Sequence, residues 1–201
     1  MNIKSGNRRK PHVDPHLYAR ERLKSVENFN FAKLDDKGTL LQVGEVFDPW
    51  EPQEIDQAMQ RLESLAIDPA KGPKLQLGGV EEAVVALQAE NLEIFEHLTR
   101  EPTGGAEFVD ENGVEWDVKS PLSPPPDQNW QFSASHQLKK VRHDFAQGDK
   151  VLFNLTRVNE SDRKETLDLF NEELTHNERG MLLILTDAPK IGSLVEERSA
   201  A

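Results

Sequence analysis

The stretch Gly105-Ala-Glu-Phe-Val-Asp-Glu-Asn-Gly-Val-Glu-Trp-Asp-Val-Lys-Ser-Pro121 decides the fold of this 201-residue chain. Its centre, Asn112-Gly113, is a strong short-range signal for a hairpin, because both residues tolerate the left-handed backbone that the tight turn needs. Residues with strand character flank the turn, from Glu107 to Asp110 and from Val114 to Lys119. The sequence therefore predicts a β-hairpin over residues 107–119.

Side chains in the second strand of this hairpin alternate between two faces. Val114, Trp116 and Val118 share an apolar face, which predicts that this face packs on a core. Asp117 and Lys119 lie together on the other face. A carboxylate in that position can bind a divalent cation while the neighbouring ammonium reaches a water molecule or a phosphate oxygen. The alternative is a ribbon with a solvated charged face.

The acid-x-lysine pattern is weak by itself, because about two such triplets are expected by chance in a chain of this composition. The chain has three of them. Asp35-Asp-Lys37 lies in a polar stretch and Asp162-Arg-Lys164 opens a predicted helix, so neither has a strand around it. Asp117-Val-Lys119 combines the triplet with a strand, which makes it the candidate for chemistry.

Composition narrows the class of protein. The chain has no cysteine, which excludes disulfides, thiolate metal sites and a cysteine nucleophile. No apolar run approaches membrane-spanning length and the N-terminus lacks a secretory signal, so we expect a soluble protein that needs another route, or a larger parent chain, for export. The net charge is −12, although residues 1–24 carry +5, which predicts a basic tail. An acidic protein needs a local basic cleft to bind nucleic acid.

Proline and glycine residues between 68 and 79 predict a boundary between two regions. Residues 1–79 form a small N-terminal region that we expect to be mainly helical. It contains the basic tail, a short helix over 20–31, a short strand over 40–43 and an amphipathic helix over 55–67.

The second domain, residues 80–201, has a regular order of predicted elements. A helix runs from Val80 to Leu98 and is stopped by Pro102, and the hairpin follows directly. Next come a helix over 135–147, an apolar strand over 150–156, a helix over 161–174 and an apolar strand over 180–186. Strand, helix and strand in sequence predict a right-handed crossover with parallel pairing.

This order, with an acid-x-lysine triplet on the second hairpin strand, resembles the restriction-endonuclease-like fold of the PD-(D/E)XK superfamily. More narrowly, Ala106–Pro121, Leu138-Lys-Lys-Val141 and the apolar strand Val151–Leu155 are similar to the C-terminal nuclease domain of contact-dependent growth-inhibition toxins. The resemblance covers about residues 80–187. It implies an α/β fold in which a restriction-endonuclease-like core with a mixed sheet follows the N-terminal region.

The resemblance also implies residues for the chemistry. The Asp-x-Lys of the family falls on Asp117 and Lys119, and its upstream strand acid falls on Glu107, where the family usually has Asp. Glu107 and Asp117 would hold Mg²⁺ or another divalent cation, and Lys119 would orient water or stabilise the phosphate. Asp110 is either an alternative ligand or the acid of the hairpin turn. Some relatives cleave RNA without an obvious metal.

The superfamily adds a glutamate from the helix before the hairpin, and four compete for this role: Glu81, Glu82, Glu90 and Glu93. On a helical wheel Glu81 lies within the apolar stripe, Glu90 lies at its edge, and the other two face water. We therefore select Glu81 as the fourth catalytic residue. The alternative is that Glu81 is a salt-bridged acid at the boundary of the core.

The predicted helix over 135–147 carries a basic stripe, opposite its apolar side, formed by His136, Lys139, Lys140 and His143. Such a stripe can grip a phosphate backbone in an otherwise acidic protein. We interpret these four residues as substrate-binding, with a solvated charged face as the alternative.

The resemblance, together with the hairpin and the basic stripe, implies a toxin endonuclease that hydrolyses RNA, and tRNA is the expected substrate because such toxins commonly cleave it. One alternative is a DNA-cleaving nuclease of the same fold. Another is a non-catalytic immunity or scaffold module, whose acidic surface would bind a protein partner. In a toxin, residues 1–79 would serve delivery or docking, and a cognate immunity protein would be the partner. The nuclease would act in the target-cell cytoplasm after delivery from a larger secreted parent.

Overall fold

A computed structural model describes residues 13–187, which form helices packed on both faces of a seven-stranded sheet. The first half of the predicted basic tail and the last 14 residues of the second domain, 1–12 and 188–201, lie outside the described residues. In chain order the elements are α1 (Pro15–Lys24), β1 (Phe29–Leu34), β2 (Leu40–Phe47), α2 (Ile55–Ala66), a short 3₁₀ helix (Pro69–Lys71), α3 (Leu77–Asn91), β3 (Leu98–Arg100), β4 (Phe108–Asp110), β5 (Glu115–Lys119), α4 (Ala134–Gln147), β6 (Lys150–Asn154), α5 (Glu160–Glu173), α6 (His176–Gly180) and β7 (Leu182–Asp187). Each helix within residues 13–187 is too short or too polar to cross a lipid bilayer.

The strands of the sheet lie in the order β2-β1-β7-β6-β5-β4-β3. β5, β6 and β7 run parallel to their neighbours within this group, and the other adjacent strands are antiparallel. The chain crosses from β5 to β6 through α4, and from β6 to β7 through α5 and α6. The predicted α/β class, mixed sheet and parallel crossover are therefore confirmed.

The predicted hairpin is formed by β4 and β5, which pair antiparallel. Gly113 has a positive φ of 78°, as the turn requires. The Asp110 carboxylate accepts the backbone N–H groups of Asn112 and Val114, each at 2.9 Å, and the indole N–H of Trp116 at 3.0 Å. The Asp110 carboxylate therefore stabilises the turn, which is the second of the two roles predicted for it.

The helix before the hairpin ends earlier than predicted. α3 stops at Asn91, the chain turns at Glu93 with φ 53°, and residues 98–100 form the edge strand β3. Phe95 and Leu98 continue the helical spacing of apolar residues, so the sequence predicted a longer helix instead of this strand. Phe95 instead packs edge-on against Trp116 of β5, with 4.9 Å between ring centres, so a contact across 21 residues overrides the local pattern.

The N-terminal region, expected to be mainly helical, also contributes two strands to the sheet. The predicted helix over 20–31 is only partly correct, because α1 covers residues 15–24 and β1 begins at Phe29. β1 pairs with β7, so Ala32 lies opposite Ile184. Segments on both sides of the predicted boundary at 68–79 therefore share one sheet, and α2 packs on α3 across it.

The sheet separates two hydrophobic cores. Residues of α1, α2 and α3 form the first core with Trp116 and Val118, whereas residues of α4 and α5 form the second. Because side chains alternate along β5, Asp117 and Lys119 point to the opposite side, toward α4. The predicted division of this strand into an apolar and a charged face is confirmed.

Two neighbouring glycines at the start of α3 differ in the space around them, which gives a matched test of the α2–α3 contact. A methyl group on Gly79 would lie 2.2 Å from the carbonyl oxygen of Ala66, whereas one on Gly78 would meet nothing within 4 Å. We expect Gly79→Ala to destabilise the protein by about 2 to 3 kcal/mol through overpacking. Gly78→Ala should stabilise it by about 0.5 to 1 kcal/mol.

Unfolding both variants in urea beside the wild type measures the two changes. Equal effects of the two substitutions would contradict the close approach of α3 to the end of α2.

Candidate active site

Asp117 and Lys119 lie on the α4 side of β5, at the point where the parallel part of the sheet begins. The Lys119 Nζ atom is 2.9 Å from Oδ2 of Asp144 on α4 and 3.7 Å from Oδ1 of Asp117. The Asp117 and Asp144 residues are 7% and 6% exposed. One ammonium therefore lies between two buried carboxyl groups that come from different elements.

Glu107 joins this group from the residue before β4. Its Oε2 accepts the backbone N–H of Val118 at 3.0 Å, which fixes the side chain across the hairpin. Its carboxylate acts on Asp117 both through a hydrogen bond and through its charge. We call Glu107, Asp117, Lys119 and Asp144 the acid–lysine cluster; it contains three of the four predicted catalytic residues.

The Asp117 carboxyl has a strongly altered proton affinity. Burial is the largest cause, and the hydrogen bond with Glu107 and the negative charge of Glu107 add to it, so that the pKa of Asp117 rises to about 7. The nearby Lys119 ammonium opposes this rise but does not cancel it. Asp117 thus changes its charge near neutral pH, as groups at catalytic and ligand sites often do.

Lys119 keeps its proton. Burial alone would lower the pKa of the Lys119 ammonium, but the contact with Asp144 and the negative charges of Glu107, Asp117 and Asp144 together outweigh burial and raise it. At neutral pH Lys119 is therefore a cation, able to bind a phosphate oxygen, rather than a base.

Asp144 was not among the site residues predicted from the sequence. Burial raises the pKa of its carboxyl, and its Oδ2 atom has no partner with hydrogen-bond geometry, so its contact with Lys119 is an ion pair by distance alone. The available signal was its place on α4, three residues after the buried Val141, where a carboxylate borders the apolar side of the helix. Buried Asp149, beside the cluster, adds a further negative charge, and burial raises the pKa of its carboxyl as well.

Glu81, the fourth predicted residue, lies in a different cluster. Its carboxylate accepts hydrogen bonds from the Tyr18 hydroxyl and from the Arg22 Nε at 2.8 Å, and Arg157 Nη1 lies 2.7 Å from it. α3, which carries Glu81, packs in the core on the face of the sheet opposite Asp117. The structure therefore brings Glu107, Asp117 and Lys119 together and gives Glu81 the contacts of a salt-bridged acid.

Two of the three competing glutamates are also ion-paired. Glu82 pairs with Arg100 and Glu90 pairs with Arg61, while Glu93 lies beyond the end of the helix and is exposed. Among residues 13–187, none of the contacts of these three glutamates reaches the acid–lysine cluster.

The predicted basic stripe opens onto the cluster. A shallow depression of about 460 Å³ is lined by Lys119, Asp144, His136, Lys139, Lys140 and His143. Leu138 and Val141 on the opposite side of α4 are buried in the second core, as the wheel predicted. The four exposed basic residues and the Lys119 ammonium thus share one surface, which we call the basic depression.

The cluster can be tested for its fit to a divalent cation. Within the part of the chain that the structure describes, no group of three or more His, Asp or Glu side chains is arranged to hold a metal ion. Glu107 and Asp117 remain as a pair of adjacent carboxyl groups, and burial together with the neighbouring Glu107 raises the pKa of Asp117. Mg²⁺ commonly binds through one or two carboxylates and keeps several waters, so this pair fits such an ion.

Comparison with models of known protein families, with curated proteins and with solved structures finds no match to this chain. The chemistry of the acid–lysine cluster is therefore the basis for assigning a function.

Proposed function

We propose that this chain is an endonuclease that hydrolyses phosphodiester bonds in RNA, with tRNA as its substrate. The observation that carries the proposal is the acid–lysine cluster, in which the half-buried Lys119 ammonium lies between Asp117 and Asp144 and lines the basic depression. A solvated charged face has no reason to gather three carboxyl groups, two of them buried, around one lysine, because burial of uncompensated charge is costly.

Each residue of the cluster has a chemical role in this proposal. Lys119, which stays protonated, would bind a non-bridging oxygen of the scissile phosphate and stabilise the negative charge that develops there. Asp144 would hold the Lys119 side chain in place, since its Oδ2 atom lies 2.9 Å from the Lys119 Nζ atom. Asp117, with a pKa of about 7, would accept a hydrogen bond from the attacking water in its ionised form.

Glu107 and Asp117 would hold Mg²⁺ or a similar cation, which supplies charge neutralisation and activation of water when it is bound. Glu107 is already fixed by the Val118 N–H, so its contribution is to hold one oxygen in a constant position beside Asp117. The net negative charge of the cluster would attract such an ion.

The basic stripe would bind the substrate backbone. His136, Lys139, Lys140 and His143 are exposed and line the same depression as Lys119, so they would position a strand over the cluster in a protein whose overall charge is −12. In its biological setting the proposal implies a toxin delivered into a target cell, and a cognate immunity protein as a partner.

A cleavage assay tests the proposal. Purified protein is incubated with total RNA, tRNA and plasmid DNA, each with and without EDTA. We expect RNA to be cleaved, and Lys119→Ala to reduce cleavage at least about 100-fold by removing the cation at the developing charge. Lys164→Ala is the matched control, because it alters another acid-x-lysine triplet whose lysine pairs with Asp168 on the surface.

The outcomes separate the possibilities. If the wild type degrades none of the three substrates, the nuclease proposal is refuted. If it cleaves DNA alone, the proposed substrate changes from RNA to DNA. Cleavage that EDTA leaves unchanged would refute the metal requirement but not the nuclease activity. Equal losses of cleavage in Lys119→Ala and Lys164→Ala would show that Lys119 has no specific role in the reaction.

A further inference from the structure

The loop of residues 120–133, which we call the proline loop, joins the acid–lysine cluster to the basic stripe. It begins directly after Lys119 and ends at Ser133, the N-cap of α4. Three consecutive prolines, Pro124 to Pro126, restrict its backbone. The Ser123 hydroxyl donates to Asp162 at 2.6 Å and accepts the backbone N–H of Asn159 at 2.9 Å, so the loop is fixed to the start of α5.

The proline loop holds an exposed tryptophan. Trp130 is 44% exposed, whereas Trp116 is 8% exposed and Trp50 packs on the first core. The indole N–H of Trp130 donates to the Gln128 side chain at 2.7 Å, and the Gln128 backbone N–H donates to Pro125. The polar atom of Trp130 is thus satisfied within the loop, which leaves the aromatic ring as the part that it offers to a partner.

The position of Trp130 connects it with the basic stripe. Phe132, two residues later, packs on the second core and fixes the end of the loop. Trp130 is six residues before His136, the first residue of the stripe. An exposed indole in a fixed loop therefore lies six residues before the basic side chains that line one depression with Lys119.

We propose that Trp130 is a stacking platform for an unpaired nucleobase of the strand whose phosphates lie along the basic stripe. This inference rests on the proposed function and adds that the substrate is recognised where its bases are unpaired. Bases inside a duplex stack on one another and cannot offer a face, whereas an unpaired base can stack on an aromatic side chain. Stacking accepts every base, so the site would select unpaired structure more than sequence.

The test measures binding separately from cleavage. All variants are made in the Asp117→Asn background, and binding is followed by fluorescence anisotropy without added metal. The probes are a fluorescein-labelled 12-nucleotide RNA without secondary structure and its duplex. We expect Trp130→Ala to raise the Kd for the single strand by roughly 5- to 150-fold, the cost of losing one stacked base, and to change the Kd for the duplex less than about 2-fold.

Two matched variants identify the cause. Trp130→Phe keeps an aromatic face and should stay within about 3-fold of the parent for the single strand. Leu122→Ala removes another exposed apolar side chain from the same loop and should leave binding unchanged. A Trp130→Ala variant with unaltered single-strand binding, or with equal losses for both probes, would overturn the stacking platform alone. Absence of binding to either probe by the parent would overturn the proposed function together with it.

Discussion

Replacing Asp117 by Asn is expected to reduce RNA cleavage by about 100- to 1,000-fold and, at the same time, to make the protein more stable above pH 7. The substitution keeps the shape of the side chain and removes a charge that is buried beside Glu107. Lys119 keeps its closer partner Asp144, so no cation is left unpaired. We expect a gain on the order of 2 kcal/mol at pH 8, well below the full value of the pKa shift because water still reaches the cluster.

The pH dependence of stability gives the same prediction with a defined sign. The folded protein holds the Asp117 proton up to about pH 7, whereas the unfolded chain releases it near the ordinary value of 3.8. Between these values the folded state binds more protons, so the contribution of Asp117 to stability falls as pH rises from about 4 to 7 and is constant above that. The advantage of Asp117→Asn over the wild type should therefore grow across this window.

Urea unfolding at pH 5 and pH 8 measures this effect, with Asp127→Asn, in an exposed loop position, as the control. Mg²⁺ at ten times its Kd should stabilise the wild type at pH 8 by about 1.4 kcal/mol and leave Asp117→Asn unchanged. A loss of stability in Asp117→Asn at pH 8 would mean that the carboxylate is a structural partner of Lys119 instead of a ligand.

Replacing Glu81 by Ala is expected to destabilise the protein by about 2 to 4 kcal/mol while the folded fraction keeps its cleavage rate within about 3-fold. The Glu81 carboxylate contacts Tyr18 and Arg22 of α1, and Arg157, which follows β6. Its removal leaves two guanidinium groups close together without a counter-charge. Both arginines remain partly exposed, which places the cost below that of a fully buried pair.

Thermal unfolding and single-turnover cleavage of the same samples separate the two roles of Glu81. Glu96→Ala removes an exposed carboxylate shortly after α3 and should leave both measurements unchanged. The result that contradicts a structural role is Glu81→Ala with wild-type stability and cleavage reduced by 100-fold or more, which would return Glu81 to the catalytic set.

Local signals predicted much of this molecule. The Asn112-Gly113 turn and the alternation from Val114 to Lys119 were sufficient to predict the hairpin and the side of β5 that carries Asp117. The basic stripe followed from helical spacing, and the structure shows that it lines the same depression as Lys119. In each case the residues that determine the feature are close together in the sequence, within one hairpin or one helix.

The features that were missed depend on contacts distant in sequence. Asp144 reaches Lys119 across 25 residues, and Glu81 finds Arg22 and Arg157 across 59 and 76 residues, so no periodicity could reveal either cluster. The early end of α3 depends on Phe95 meeting Trp116 from a different element. Whether Glu81 is a metal ligand or a salt-bridged acid depends on its contact residues. These residues lie outside α3, so a helical wheel of α3 cannot show them.

The place of β7 in the sheet has a consequence for the order in which the molecule is synthesised. β7 is the last strand in residues 13–187, yet it lies between β1, near the start, and β6. On the ribosome β1 and β2 emerge before β3 to β6, and no hydrogen-bonded strand connects them to the side of the sheet that carries Asp117 until residues 182–187 follow. The long separation between β1 and β7 makes this closure entropically costly. The two sides of the sheet are therefore joined by the part of the described chain that is translated last.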